Sequence, residues 1–275
     1  MTKLMPADVD AVMSAKLDAG YSVSTVRRIR AVLVQALNQA ERWGLIGRNV
    51  AAVTRGPRGS RPQGRTLTPK QARQLLESLQ GLRLEALYVT MLGLGLRRGE
   101  ALGLSWSDVS LGRGVLVINR SLKREEGTLV LGEVKTAKSR RSLNIPQPVI
   151  ECLKSHKSRQ AQERLAVGEA WVDSGLVFTT QVGTPLDPRN IYRDFVGVCE
   201  RAGIGRWHPH ELRHSAASIM LAQGVPIEVV TDILGHSSIR MTADVYGHIL
   251  EPQRRAAADA MGNALWGDSV SSSSP

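Results

Sequence analysis

The chain has 275 residues, room for one large domain or two smaller ones, and 42% of them are apolar, enough for a real core. Thirty-six Lys and Arg against 25 Asp and Glu leave a net charge of +11, a surplus that points to a polyanion and first of all to nucleic acid. Two cysteines, Cys152 and Cys199, exclude a disulfide framework or a Cys-rich zinc site, and the longest nearly apolar run, LEALYVTMLGLGL, is too short to span a bilayer. With no apolar signal core at the start, the expectation is a cytoplasmic protein with no membrane partner.

The first elements are helical. Val9, Val12, Met13 and Leu17 recur at helix spacing from Pro6, and Gly20 supplies a stop. A second helix is predicted from about Ser24 to Gly44, with Ile29, Leu33, Ala36, Leu37 and Ala40 as its buried stripe. Arg27, Arg28 and Arg30 lie near its start and read either as a solvated face or as phosphate contacts. RGPRGSRPQGR follows, with Arg55, Arg58, Arg61 and Arg65, no acid, and a composition that cannot pack a core. It is a linker whose charge suits a phosphate backbone. The expected division is therefore a helical domain over 1–54, a basic linker over 55–65, a large domain over 66–268 and a disordered tail over 269–275.

In the large domain Thr68 is a plausible N-cap before Pro69. A strongly apolar helix is predicted over about 82–96, and a short helix follows it. The period then changes. GVLVINRSLKREEGTLVLGEVKTAKSRRSLNIP holds three runs rich in Val, Leu and Ile, which predicts one small antiparallel sheet, and GLVFTT at 175–180 reads as a further strand. Helices return to the end. The last, in EPQRRAAADAMGNALWGD, carries Ala257, Met261 and Leu265 as an apolar stripe. The fold class is mainly α with a small antiparallel β-sheet, α+β.

HELRH, His210 to His214, matches the H-E-x-x-H pattern of zinc peptidases. A zinc site needs a third ligand, and the extended motif would place His where Met220 stands. Glu228 is a conceivable substitute, but Arg213 inside the motif is unfavourable beside a divalent cation. His210 and Arg213 share a helix face at i, i+3 and make a good anion receptor, helped by N–H groups at a helix start marked by Pro209. A phosphate is the favoured occupant, and no metal or cofactor is expected.

Further elements occur in a telling order: Arg97 and Glu100 in GLGLRRGEALGL, Lys135 in EVKTAKSRRSLNIP, His210 and Arg213 in HPHELRH, His236 in LGHSS, and Tyr246 in MTADVYGHIL. In that order and setting the chain closely resembles the tyrosine recombinases of the phage integrase family, over about 6–265. The resemblance implies a small helical core-binding domain joined to a catalytic domain, in a short form that lacks the N-terminal arm-binding domain and has half the usual core-binding helices. It implies that Arg97 and Arg213 clamp the scissile phosphate and that Tyr246 attacks phosphorus to give a 3′-phosphotyrosyl bond. It makes Lys135 the general acid for the leaving 5′-oxygen. His210 and His236 assist proton transfer, while Glu100 and His214 support the cluster. Arg98 and Lys138 compete for their neighbours' roles by chemistry alone, and the family pattern favours Arg97 and Lys135. The implied partners are double-stranded DNA carrying recombination sites, further copies of the chain in a tetrameric synapse, and an accessory DNA-bending protein. The implied setting is bacterial or phage-encoded and nucleoid-associated. The alternative is a helix-turn-helix regulator or inactive remnant, since QGVPIEVVTDILGHSSIRMTADVY scans as such a motif.

Overall fold

A computed structural model describes residues 4–59, 64–134, 139–236, 238–239, 242–243 and 251–266. Lys135, Lys138, Arg61, Tyr246 and the tail expected at 269–275 fall outside the described residues. The chain divides into two compact units, Met1–Gln63 and Gly64–Pro275.

In the first unit α1 (Pro6–Asp18) packs on α2 (Val23–Arg42), which is capped by the Ser22 hydroxyl accepting from Thr25 N. Val9, Met13, Val26 and Leu37 form a small core with Val50 and Ala51. Two expected stripe members, Val12 and Ala36, are exposed, because a pair of helices covers only one narrow face of each. Buried Asn49 ties the following turn to α2. Its Nδ2 donates to Val34 O at 2.8 Å and Asn38 Oδ1 at 2.7 Å, and its Oδ1 accepts from Ala51 N.

The second unit opens with α3 (Pro69–Leu79), whose Thr68 and Gln71 form a reciprocal capping box. The expected apolar helix runs as α4 (Glu85–Leu94) and is buried along most of its length. It packs against α6 (Gln147–Val167) and α8 (Pro209–Ala222), so it is the axis of the main core. Gly95 ends it in a left-handed cap, and α5 (Arg98–Leu102) follows.

The strand-rich segment departs from expectation in forming two sheets rather than one. β1 (Val109–Ser110), β2 (Val115–Ile118) and β5 (Arg141–Asn144) make a three-stranded antiparallel sheet in the order β1-β2-β5. β3 (Arg120–Glu125) and β4 (Thr128–Glu133) pair separately as a hairpin, with Leu122 opposite Leu131 and Lys123 opposite Val130. Residues 175–180 form no strand. They make only isolated bridges, Ser105 with Leu176 and Thr179 with Pro185. Their β-like composition instead serves burial: Leu176, Val177 and Phe178 are enclosed, and Gln160 Nε2 donates to the Leu176 and Val177 carbonyls.

After α6 come α7 (Pro188–Arg201), α8, α9 (Ile227–Leu234) and α10 (Glu251–Trp266). Among the described residues no helix is long and apolar enough to cross a membrane.

Candidate active site

Four helix ends meet at one place. Arg97 is the N-cap of α5, one residue past the Leu96 that follows the α4 cap, while His210 and Arg213 lie in the first turns of α8. His236 follows the left-handed Gly235 cap of α9. Arg213 ties these ends together: its Nη1 donates to Gly95 O at 2.8 Å and its Nη2 to Leu234 O at 2.5 Å. A buried guanidinium thus answers the unpaired terminal carbonyls of two helices. Arg97 Nη2 donates to Gly235 O at 3.2 Å, so both arginines grip the same turn after α9.

Arg97 also forms a capping box with Glu100. Its backbone N–H donates to Glu100 Oε2 at 3.0 Å and its Nη1 to Oε1 at 2.7 Å. Burial works to raise the Glu100 pKa. Hydrogen bonds and charge from Arg141 and then Arg97 overcome it, so the carboxyl sits below the ordinary carboxylate range. Arg97 and Glu100 line a pocket of about 330 Å³ with Ser121, Lys123, Val134 and Ser139. Nothing in the motif order singled out Lys123. Its place beside Arg97 follows from strand alternation, which puts it on the same face of β3 as Ser121. Arg98, the competing arginine, faces away toward α7, where its Nη1 donates to Pro188 O at 3.3 Å.

The HELRH helix begins as its sequence suggests, with Pro209 at the first position. Its glutamate is engaged by its own cap, since His208 N donates to Glu211 Oε2 at 2.7 Å, and Glu211 also faces Arg65 at 3.8 Å. His208 Nδ1 in turn accepts from His210 N. The His210 and His214 rings meet edge to face, 5.1 Å apart. Among the described residues no three His, Cys, Asp or Glu side chains gather as metal ligands would.

His236 Nδ1 lies 2.9 Å from the hydroxyl of buried Thr242, which is 3.0 Å from that of Thr231. Burial, and then the positive groups around them, push His210 and His236 down to about 4. The groups are His214, Arg213, His208 and Arg97 for His210, and Arg213, Arg97, His214 and Arg141 for His236. The imidazoles are neutral at pH 7 and stand among the guanidiniums of Arg97 and Arg213.

The basic residues expected to meet DNA divide. Arg27 donates from Nε to Pro57 O and from Nη2 to Gly59 O, both at 2.9 Å. Arg30 donates to Ala51 O, to Thr54 O and to the Thr54 hydroxyl. Arg27 thus holds the start of the basic segment on α2, and Arg30 the turn just before it. Arg28, Arg55 and Arg58 are exposed, and Arg65 lies over the Trp207 ring at 4.1 Å.

A family model described as the phage integrase family matches residues 65–252. The chain belongs to this family. Among its relatives, a tyrosine recombinase XerC-like protein of Caldanaerobacter subterraneus subsp. tengcongensis is 30% identical over 88% of the chain and 66% of its own length. An integrase of Streptomyces ambofaciens is 34% identical over 94% of the chain and 68% of its own length. The chain thus spans about two thirds of these relatives. Among solved structures, the Tn1549 transposon integrase in complex with a circular intermediate DNA superposes with a TM-score of 0.78 at 21% identity, covering 95% of this chain and 86% of that one. The XerH site-specific recombinase bound to its palindromic substrate gives 0.71 at 21% identity, covering 94% and 73%. These likenesses show the integrase fold.

Proposed function

We propose that this integrase-family protein is a site-specific DNA recombinase that cleaves and rejoins duplex DNA through a 3′-phosphotyrosyl intermediate. The observation that carries the reading is the gathering of Arg97, His210, Arg213 and His236 at four helix ends, with the two guanidiniums bonded to the same turn after α9. Such a cluster, fixed before substrate arrives, stabilises a pentavalent phosphate without reorganising. Tyr246, assigned by its place in the motif order, supplies the phenol oxygen that bonds to phosphorus as the 5′-oxygen leaves. A phenol of pKa about 10 needs such a positive site to act as a nucleophile at neutral pH. Lys135, assigned in the same way, protonates the leaving oxygen. The phosphotyrosyl bond conserves the energy of the phosphodiester, so the 5′-hydroxyl reverses the attack without ATP.

The first unit and the exposed Arg28, Arg55 and Arg58 are assigned to the DNA backbone, and further copies of the chain to a tetrameric assembly on paired sites. Its place is the cytoplasm, on nucleoid DNA. A nicked suicide substrate tests the activity. The expected product is a protein–DNA adduct that survives denaturation and forms equally in EDTA, while Tyr246→Phe forms none and still binds DNA. An adduct from the Phe variant would remove Tyr246 from its role, and loss of activity in EDTA restored by zinc would return HELRH to a metal.

A further inference from the structure

Arg141 stands outside the motif residues assigned above, yet its side chain is only 8% exposed. A guanidinium taken out of water is tolerated only where its donors are answered. At the start of β5 they are answered by two carbonyls and by the carboxylate that holds Arg97. Nη2 donates to Glu100 Oε2 at 2.9 Å and Nη1 to Oε1 at 3.3 Å, the same two oxygens that accept from Arg97. Nε donates to Ile233 O at 2.7 Å, and Nη1 also reaches Ser139 O at 3.1 Å.

Ile233 begins a run of three carbonyls at the end of α9. Arg141 takes the first, Arg213 the second at Leu234, and Arg97 the third at Gly235. The contact with Gly235 is close. A Cβ there would lie 2.9 Å from Arg141 Nη1 and 3.2 Å from its Cζ, and Gly235 has φ +61°. The guanidinium therefore rests against the turn that precedes His236. Of the two acceptors that orient the Arg97 fork, the Glu100 carboxylate is bonded by Arg141 directly, and the Gly235 carbonyl belongs to the turn that Arg141 holds at Ile233 O.

We propose that Arg141 is the positioning residue of the reaction centre, setting the aim of Arg97 through Glu100 and through the end of α9. The proposal rests on the recombinase reading. A guanidinium displaced by about 1 Å costs on the order of 100-fold in rate while charge and DNA affinity stay nearly the same. Lysine at 141 keeps the charge on a single nitrogen that cannot bridge a carboxylate and a carbonyl at Arg141's spacing.

The test is a double-mutant cycle on single-turnover cleavage of the nicked suicide substrate, with half-site affinity and thermal unfolding measured on each protein. Arg141→Gln is expected to slow adduct formation by about 100-fold with affinity little changed, and Arg141→Lys to restore part of the rate. In an Arg97→Lys background Arg141→Gln should add little, because its effect runs through an arginine already gone. Fully additive losses, or a loss of affinity as large as the loss of rate, would overturn the proposal. If Arg141→Gln does not fold, Arg141→Lys takes its place in the cycle under the same criteria. A wild-type protein that forms no adduct would sink the recombinase reading itself; an active wild type with an additive cycle would sink only the role of Arg141.

Discussion

Arg97 and Arg213 share the proposed task of clamping phosphate but differ in what they do for the fold. Arg213 is 3% exposed and holds two helix-terminal carbonyls, whereas the Arg97 side chain is 35% exposed and lines the open pocket. Lysine at either position loses the bidentate fork, so both variants should lose orders of magnitude in cleavage rate, while Arg98→Lys should be mild. Stability separates them. Arg213→Lys leaves a buried carbonyl unanswered and should cost ~1–3 kcal/mol in denaturant unfolding, whereas Arg97→Lys should lie close to wild type. Equal stability losses would contradict this division. The histidines give a second expectation. His210 and His236 titrate near 4 in the folded protein against an ordinary 6.5. As pH falls below 6.5 the unfolded chain takes up protons on both while the folded one does not. Their stabilising contribution is therefore complete above 6.5 and is lost progressively down to about 4. The melting temperature of wild type should fall more steeply across that window than that of a His210→Gln, His236→Gln double variant; parallel curves would mean that the rings titrate normally. At this scale the nearness of Arg97, His210, Arg213 and His236 was legible from residue order, because binding a phosphate prescribes which side chains must occur together. Arg141 was not, since its partners Glu100 and Ile233 are brought to it only by the fold.

Among elements, the least legible was the β-rich middle. Its runs of Val, Leu and Ile announced strands, but alternation alone does not say which strands pair, and the β3–β4 hairpin separates from the β1-β2-β5 sheet. The hairpin leaves the sheet to lie against α5, and two glycines one turn apart allow that approach. A Cβ at Gly99 would stand 2.6 Å from Ser121 Oγ and 2.8 Å from Leu122 O. One at Gly103 would stand 2.9 Å from Leu122 N and 3.0 Å from Ser121 Cα. These are mostly backbone atoms that no rotamer change can move. Gly103→Ala should therefore push the hairpin off α5, cost ~1–3 kcal/mol, and slow cleavage by shifting the strands that lead into Lys135. Gly132→Ala on β4, with nothing within 4 Å of its added methyl, is the control and should be near neutral. If the two variants unfold at the same denaturant concentration, the contact between α5 and β3 is looser than this geometry requires. The segment 175–180 was misread for a related reason, because β-branched and aromatic residues suit any buried extended chain, whether or not a neighbouring strand accepts its hydrogen bonds.

For the whole molecule the telling element is the last one. α10 was legible as a helix from its alanines and its spacing, but not what it packs against, since a sequence carries no record of which surface buries an apolar stripe. Met261 is 60% exposed and Leu265 62%, with Ala256, Ala260 and Ala264 also exposed beside them. A helix of 16 residues is marginal without tertiary burial, so this stripe needs a surface. The expectation is that, in the proposed assembly on paired DNA sites, a second copy of the chain supplies that surface, so that assembly becomes a condition of arranging each active site. Truncation after Leu250 removes α10 and leaves every motif residue in place. Because Met261 and Leu265 bury little against their own chain, the shortened protein should melt close to full length and bind a single half-site with similar affinity. Binding to two adjacent half-sites should lose its cooperativity, and adduct formation on paired sites should fall toward the level of isolated ones. If gel-shift titrations show undiminished cooperativity, α10 serves its own protomer. A large drop in melting temperature would say the same, by showing that the helix packs at home.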